Sequence, residues 1–204
     1  FKATGYGKFG SISYRETSEA TGDVHKSERV GGDASWSILA NNKTTVDTGL
    51  SFKYDRLSST VVTKDGGKVP LRLSFGVFAN PQFDLGDWLL TPSFRWDWAS
   101  DFAPGASAAL GAGKKLSDAL TLSLSLSTAY RAPSFDDLYW PPSGGAEGNA
   151  TLRPETAYEV DAGLKWQKND VAISASGYAR YAHDVILWQE NDDNIWRPSN
   201  FGDA

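Results

Sequence analysis

The feature that most constrains this chain is an alternation with a period of two, held over stretches longer than most strands. Residues 119–130 show it most cleanly. Leu120, Leu122, Leu124 and Leu126 alternate with Thr121, Ser123, Ser125 and Ser127. Successive side chains of a strand point to opposite faces, so this spacing builds one apolar and one polar face. Residues 44–54 set Val46, Thr48, Leu50, Phe52 and Tyr54 against Thr45, Asp47, Gly49, Ser51 and Lys53. Residues 154–166 and 171–181 repeat the pattern, from Tyr158, Val160 and Leu164 to Ile173, Ala175 and Tyr181.

The pattern predicts an all-β antiparallel meander of about nine long strands, at 3–14, 34–41, 44–55, 69–79, 87–98, 104–113, 118–130, 153–166 and 170–182. A tenth is expected to begin at Phe201. Several reach about ten residues or more, against a usual five or six, and a tilted membrane-crossing strand needs about 9–11. Connections alternate in length. Long polar loops are expected at 15–33, 57–68, 131–152 and 183–200, with a shorter one at 99–103. Tight turns are expected at 41–43, around Asn80-Pro81, at 114–117 and at 167–169. Long loops at one end and short turns at the other suit an outer-membrane barrel. So do aromatics at strand ends on the apolar face: Tyr14, Tyr54, Trp96, Trp98, Tyr130 and Tyr181 toward the loops, Trp88 and Trp166 toward the turns. A soluble β-sandwich also alternates apolar-in and polar-out, so a carbohydrate-binding sandwich using loop tryptophans stays open at this point.

Composition removes other classes. The net charge is −5, from 20 Lys plus Arg and 25 Asp plus Glu, which argues against a nucleic-acid partner, since that needs a basic face. The absence of Cys removes disulfides, thiolate zinc sites and Cys nucleophiles. Two histidines, His25 and His183, are too few for a His-rich metal site. Mean hydropathy is −0.39, and the lack of an apolar run of about 18 residues excludes membrane helices but not membrane strands. The chain starts without Met or a signal peptide, so it is expected to be processed or cut from something longer.

The catalytic motifs fail on context. Gly5-Tyr6-Gly7-Lys8-Phe9-Gly10 has dinucleotide-loop spacing, but Ser11-Ile12-Ser13-Tyr14 continues a strand where a helix is required. Gly113-Lys114 lacks the first glycine of a phosphate loop and has Lys115 where Ser or Thr must follow. No nucleophile, base and metal set converges, so no enzyme is expected, and no resident cofactor. Glu190, Asp192 and Asp193 could offer oxygens to calcium, though a solvated acidic loop is the plainer reading. Trp140, Trp188 and Trp196 sit in loops on one side, where exposed rings point to binding and folded-down loop cores are the rival.

One segment is more specific. Tyr130-Arg131-Ala132-Pro133-Ser134-Phe135-Asp136-Asp137-Leu138-Tyr139-Trp140 is followed by Gly148-Asn149-Ala150-Thr151-Leu152-Arg153-Pro154-Glu155-Thr156 and Asp161-Ala162-Gly163-Leu164. Over about 35 positions this resembles TonB-dependent outer-membrane receptors, in the branch of the cobalamin and siderophore receptors. Asp161 departs from the Glu usual there. The resemblance implies a transmembrane barrel of about 22 strands, of which 1–204 would be a middle-to-late slice without plug domain or C-terminal strands. It implies outer-membrane lipid, a plug domain and TonB as partners, and an iron–siderophore or cobalamin as transported ligand. The open edges of such a slice would be free to associate. The ligand-facing residues it suggests on the outer loops are Arg131, Asp137, Tyr139, Trp140, Trp188 and Trp196. Arg131 and Glu155 share the inward parity of neighbouring strands and are expected to interact. A passive porin or adhesin-like barrel is the alternative of the same architecture.

Overall fold

The computed structural model describes residues 1–15 and 22–202. Nine antiparallel strands form one sheet in strict sequence order. They are β1 (Lys2–Tyr14), β2 (Asp23–Asn41), β3 (Thr44–Ser59), β4 (Leu71–Asp84), β5 (Trp88–Ala99), β6 (Gly105–Ser117), β7 (Leu120–Arg131), β8 (Glu155–Lys168) and β9 (Val171–His183). The shortest have 12 residues and the longest 19. At about 3.3 Å per residue even twelve span roughly 40 Å, enough to cross a bilayer when tilted.

The register fixes which side chains share a face. Phe52 pairs with Phe75 and Phe75 with Trp98, while Leu50 pairs with Val77 and Val77 with Trp96. One residue on, Ser51 pairs with Gly76 and Gly76 with Asp97. The apolar rows lie open: Phe52, Phe94, Leu126, Val160 and Ile173 are each at least half exposed. A sandwich would cover this face with a second sheet. Here the only other sheet among the described residues is the two-stranded pair β10 (Val185–Glu190) and β11 (Trp196–Phe201), which sits with the loops. The sandwich reading is therefore set aside. An apolar band of this extent is stable against hydrocarbon rather than water.

The ends of the strands differ as expected. Two-residue turns join β2 to β3, β6 to β7 and β8 to β9, and three residues join β4 to β5, while the opposite end carries the long loops. Five local expectations are corrected. The turn expected at 114–117 is strand as far as Ser117, which pairs with Leu120, and the chain turns at 118–119. The polar stretch expected as a loop at 15–33 is already strand from Asp23, because β2 pairs with β1 from Asp23 onward (residues 16–21 lie outside the described ones). The turn expected around Asn80-Pro81 is strand as well, and the chain turns at 85–87. Pro81 keeps its register with Val46, while the β4–β5 ladder lapses between Ala79–Phe94 and Phe83–Leu90, the stretch holding Pro81 and Pro92. The loop at 183–200 contains the β10–β11 hairpin. Phe201 closes β11, paired with Val185, and does not open a tenth strand of the main sheet (Asp203 and Ala204 lie outside the described residues).

The aromatic placement holds with two exceptions, the first being Tyr14, which pairs with Asp23 at the parity of the Lys8–Arg29 pair and so lies on the polar face. Trp88 and Trp166 lie beside the turns, with Lys114 Nζ 4.7 Å from the Trp88 ring centroid, and Tyr158 and Tyr181 pair on the apolar face. Tyr130, the second, was expected in that girdle. Its ring instead lies on the polar side, where a Cβ on Gly105, the partner of Asp97, would come within 2.9 Å of it. Strands β6 and β7 stop pairing after Ala109–Ser127, which leaves Tyr130 free to turn onto the polar side.

Candidate functional site

The family-like segment forms a packed unit at the long-loop end. After β7, Pro133 is fully buried and ends the ladder, having no N–H to give it. Ser134 then caps a short helix, α1 (Phe135–Tyr139). The Ser134 Oγ accepts from the Asp137 N–H at 3.0 Å, and Asp137 Oδ2 accepts from the Ser134 N–H at 2.9 Å, a reciprocal capping box. The adjacent Asp136 and Asp137 are thus helical, not the strand neighbours that parity alone would suggest. Asp136 stays exposed and Asp137 is buried. Desolvation pushes the Asp136 carboxyl above its ordinary range, His25 pulling it back and Asp137 pushing it further.

The remaining motif residues lock this helix to the hairpin. Gly148 passes so close to α1 that a Cβ would lie 2.6 Å from the Trp140 nitrogen, and its own N–H donates to the Trp140 carbonyl at 2.9 Å. Asn149 N–H donates to the Asp137 carbonyl at 2.7 Å and Asn149 Nδ2 to the Pro198 carbonyl at 3.1 Å. Leu138, Leu152 and Ile186 form a small buried core with Tyr139 against it. Arg153 N–H donates to Asn200 Oδ1 at 2.9 Å, and its guanidinium pairs with Asp184 at 2.5 Å. Two loops far apart in sequence, 132–154 and 184–201, are thereby one module.

The six residues expected to face a ligand are all brought to this end, in different circumstances. Asp137 uses both carboxylate oxygens internally, one for the cap and one for the Trp188 Nε1–H at 2.9 Å. Trp188 is half-buried on the same account. Trp140 turns its indole N–H inward, where it has no partner among the described residues. Trp196 is 50 % exposed while its backbone clamps residues 145–147, donating to the Gly145 carbonyl and accepting from Glu147. Tyr139 is half-buried, with Lys64 Nζ 5.6 Å from its ring centroid and Phe135 tilted against it at 6.2 Å. Burial pushes its hydroxyl up, and Asp101 adds to this.

Arg131 and Glu155 are partners across β7 and β8 and form the two-pronged ion pair that parity suggested, at 2.7 and 2.5 Å. Glu155 Oε1 also accepts from the Ile186 N–H at 2.7 Å, so the same carboxylate anchors the hairpin. In the 190–193 loop, Asn191 Oδ1 accepts from the Asp193 and Ile195 N–H groups, and the described residues hold no cluster of three potential metal ligands.

Two groups escaped sequence reasoning. On the polar face, Arg95 bonds to Asp97 and reaches Ser51 at 2.6 Å across the space that Gly76 leaves open. Toward the loops, Arg72 is buried and bonds to Asp101 at 2.7 Å and to the Pro133 carbonyl at 2.9 Å. The signal for Arg72 was thin: a charged residue two positions after Pro70, at polar parity, at the loop end of a strand.

Comparison with known proteins agrees with this geometry. A family model described as TonB dependent receptor-like, beta-barrel, matches residues 2–204. The vitamin B12 transporter BtuB of Vibrio vulnificus is 35 % identical over 113 residues, covering 55 % of this chain and 18 % of that protein. BtuB of Photobacterium profundum is 26 % identical, covering 76 % and 25 %. Among solved structures, the siderophore receptor PirA from Pseudomonas aeruginosa superposes with a TM-score of 0.75 at 18 % identity, covering 89 % of this chain and 35 % of that one. The ferric enterobactin receptor PfeA gives 0.73 at 17 %, covering 90 % and 32 %. The chain spans about a quarter or less of the length of these curated relatives. With the meander, the loop asymmetry and the matched signature in place, the chain belongs to the TonB-dependent receptor β-barrel family.

Proposed function

We propose that this chain is part of the wall and outer mouth of an outer-membrane receptor that takes up a scarce nutrient, an iron–siderophore or cobalamin, with energy delivered through a plug domain and TonB. The observation that carries the reading is the loop module itself. A passive pore needs an open mouth, whereas here two long loops fold into a packed unit whose helix α1 crosses the polar face. Seated this way, the module offers Arg131, Tyr139, Trp140 and Trp196 as a surface of rings and hydrogen-bonding groups. Asp137 and Trp188 support that surface from beneath. The apolar face meets outer-membrane lipid, and the neighbouring strands of a barrel of about 22 cover the edges of β1 and β9. The chemistry is binding and passage, with no covalent step.

The test is uptake by the complete receptor carrying this segment, expressed in an outer-membrane host stripped of its own cobalamin and siderophore receptors. Labelled cyanocobalamin and a radio-iron catecholate siderophore are offered with and without TonB. The reading expects accumulation of one cargo, lost when TonB is removed. Uptake that ignores TonB would make it a passive pore, and accumulation of neither cargo would reject the proposed substrates.

A further inference from the structure

We propose that Arg72 is the positioning residue of the mouth: its guanidinium fixes where α1 crosses the polar face, and with it where Phe135 and Tyr139 stand. The proposal rests on the receptor reading above. Arg72 is the second residue of β4 and only 9 % exposed. Its Nε donates to Asp101 Oδ1 at 2.7 Å and its Nη2 to the Pro133 carbonyl at 2.9 Å. The rings of Phe102 and Phe135 lie 4.7 and 5.0 Å from its guanidinium carbon. One side chain therefore joins β4, the loop after β5 and the segment after β7.

The geometry suits an arginine and no other residue. A planar guanidinium directs donors within its plane while its faces remain free for rings. A lysine ammonium has the charge without the plane, so it cannot keep both bonds and both ring contacts. Asp101 strengthens the case, because its side chain is 1 % exposed and its Oδ2 has no partner among the described residues. A carboxylate buried that deeply is tolerated only beside a fixed cation.

The consequence reaches across the wall. Lys8, Arg29, Asp55 and Arg72 form one row on the polar face through successive strand pairings. Ser134 and Phe135 share with that row a cavity of about 290 Å³. The start of α1 thus lies over β1–β4, three strands back from the end of β7. The bonds of Asp137 and Asn149 tie α1 to the loop module, not to this part of the wall. Arg72 supplies the wall contact, seconded by Lys64 over the Tyr139 ring.

The experiment places nitroxide labels at the exposed Lys26 and Asp136 of the complete receptor and measures their separation without cargo. Arg72→Lys, Arg72→Met and Asp101→Asn are compared with the native receptor, and heat-shifted gel migration verifies that each barrel is folded. The native receptor and Asp101→Asn, which keeps the acceptor oxygen, are expected to give one narrow distribution. Both Arg72 variants are expected to give a broad one. In uptake of cyanocobalamin and of the ferric catecholate, KM for the transported cargo should rise at least about tenfold with the maximal rate nearly kept, as displacement of a positioned surface produces. A native, narrow distribution in both Arg72 variants overturns the proposal. So does a fall in maximal rate with KM unchanged. Absence of TonB-dependent uptake by the native receptor would sink the receptor reading alone, since the label distances are read without cargo.

Discussion

Asp137→Ala should open the loop module and leave the barrel intact. The Asp137 carboxylate is 8 % exposed and accepts two hydrogen bonds at 2.9 Å, from the Ser134 N–H and the Trp188 Nε1–H. Removing its half of the capping box costs about 1 kcal/mol. Removing a charged acceptor from a buried indole N–H costs about 1.5–3 kcal/mol, because the donor is left without a partner. The sum is about 3 kcal/mol, which at tenfold per 1.4 kcal/mol is roughly a hundredfold increase in opening. Hydrogen exchange by mass spectrometry in the complete receptor reads this directly. Amides of α1 and of β10 should exchange about a hundredfold faster in Asp137→Ala. Those of β7 and β8 should keep their native protection. Asp137→Asn keeps an oxygen for Trp188 and loses the charge, so about a tenfold increase is expected. The reasoning is refuted if α1 and β10 exchange as in the native protein, or if β7 and β8 lose protection along with them.

Two further outcomes follow from the same module. A double-mutant cycle of Arg131→Ala and Glu155→Ala should give a coupling of about 0.5–1 kcal/mol in the stability of the hairpin, since the Arg131 side chain is 55 % exposed and solvent screens the pair; zero coupling removes the pair from the account. Gly148→Ala forces a methyl against backbone atoms of Leu138, Tyr139 and Trp140 at 2.6–3.0 Å. It should loosen the module by about 1–3 kcal/mol, seen as faster proteolysis between 132 and 154 at an unchanged barrel melting temperature.

The fold was legible where lipid dictates the sequence. Leu120 to Leu126 and the strand around Val160 alternate because one face meets hydrocarbon and the other does not, and both strands lie where the alternation put them. The loop end of β2 was not legible, because Glu28, Arg29 and their neighbours have no such constraint. There pairing with β1 and β3, with the cross-strand ion pairs Arg29–Asp55 and Arg56–Glu28, makes the strand, and Gly31-Gly32 reads locally as a loop. Pro81 misled in the same way: it breaks the ladder on one side only, and the register on the other side carries the strand past it. In the site, the motif announced that residues 130–156 matter but not how. The functional-looking Asp137 and Trp188 bond to each other, a contact 51 residues apart in sequence that no local pattern encodes. Arg72 is 61 residues from its Pro133 partner and was invisible for the same reason.

The central claim is that the sheet is a membrane wall with lipid on one face and a wet interior on the other. Spin labels placed singly at each position from Thr121 to Ser127 in the complete receptor, reconstituted in lipid, test it most directly through their accessibility to oxygen and to a water-soluble nickel chelate. The account predicts a period of two, with Leu122, Leu124 and Leu126 reached by oxygen and shielded from nickel, and Thr121, Ser123, Ser125 and Ser127 showing the reverse. Uniform nickel access, or the opposite phase, would contradict it.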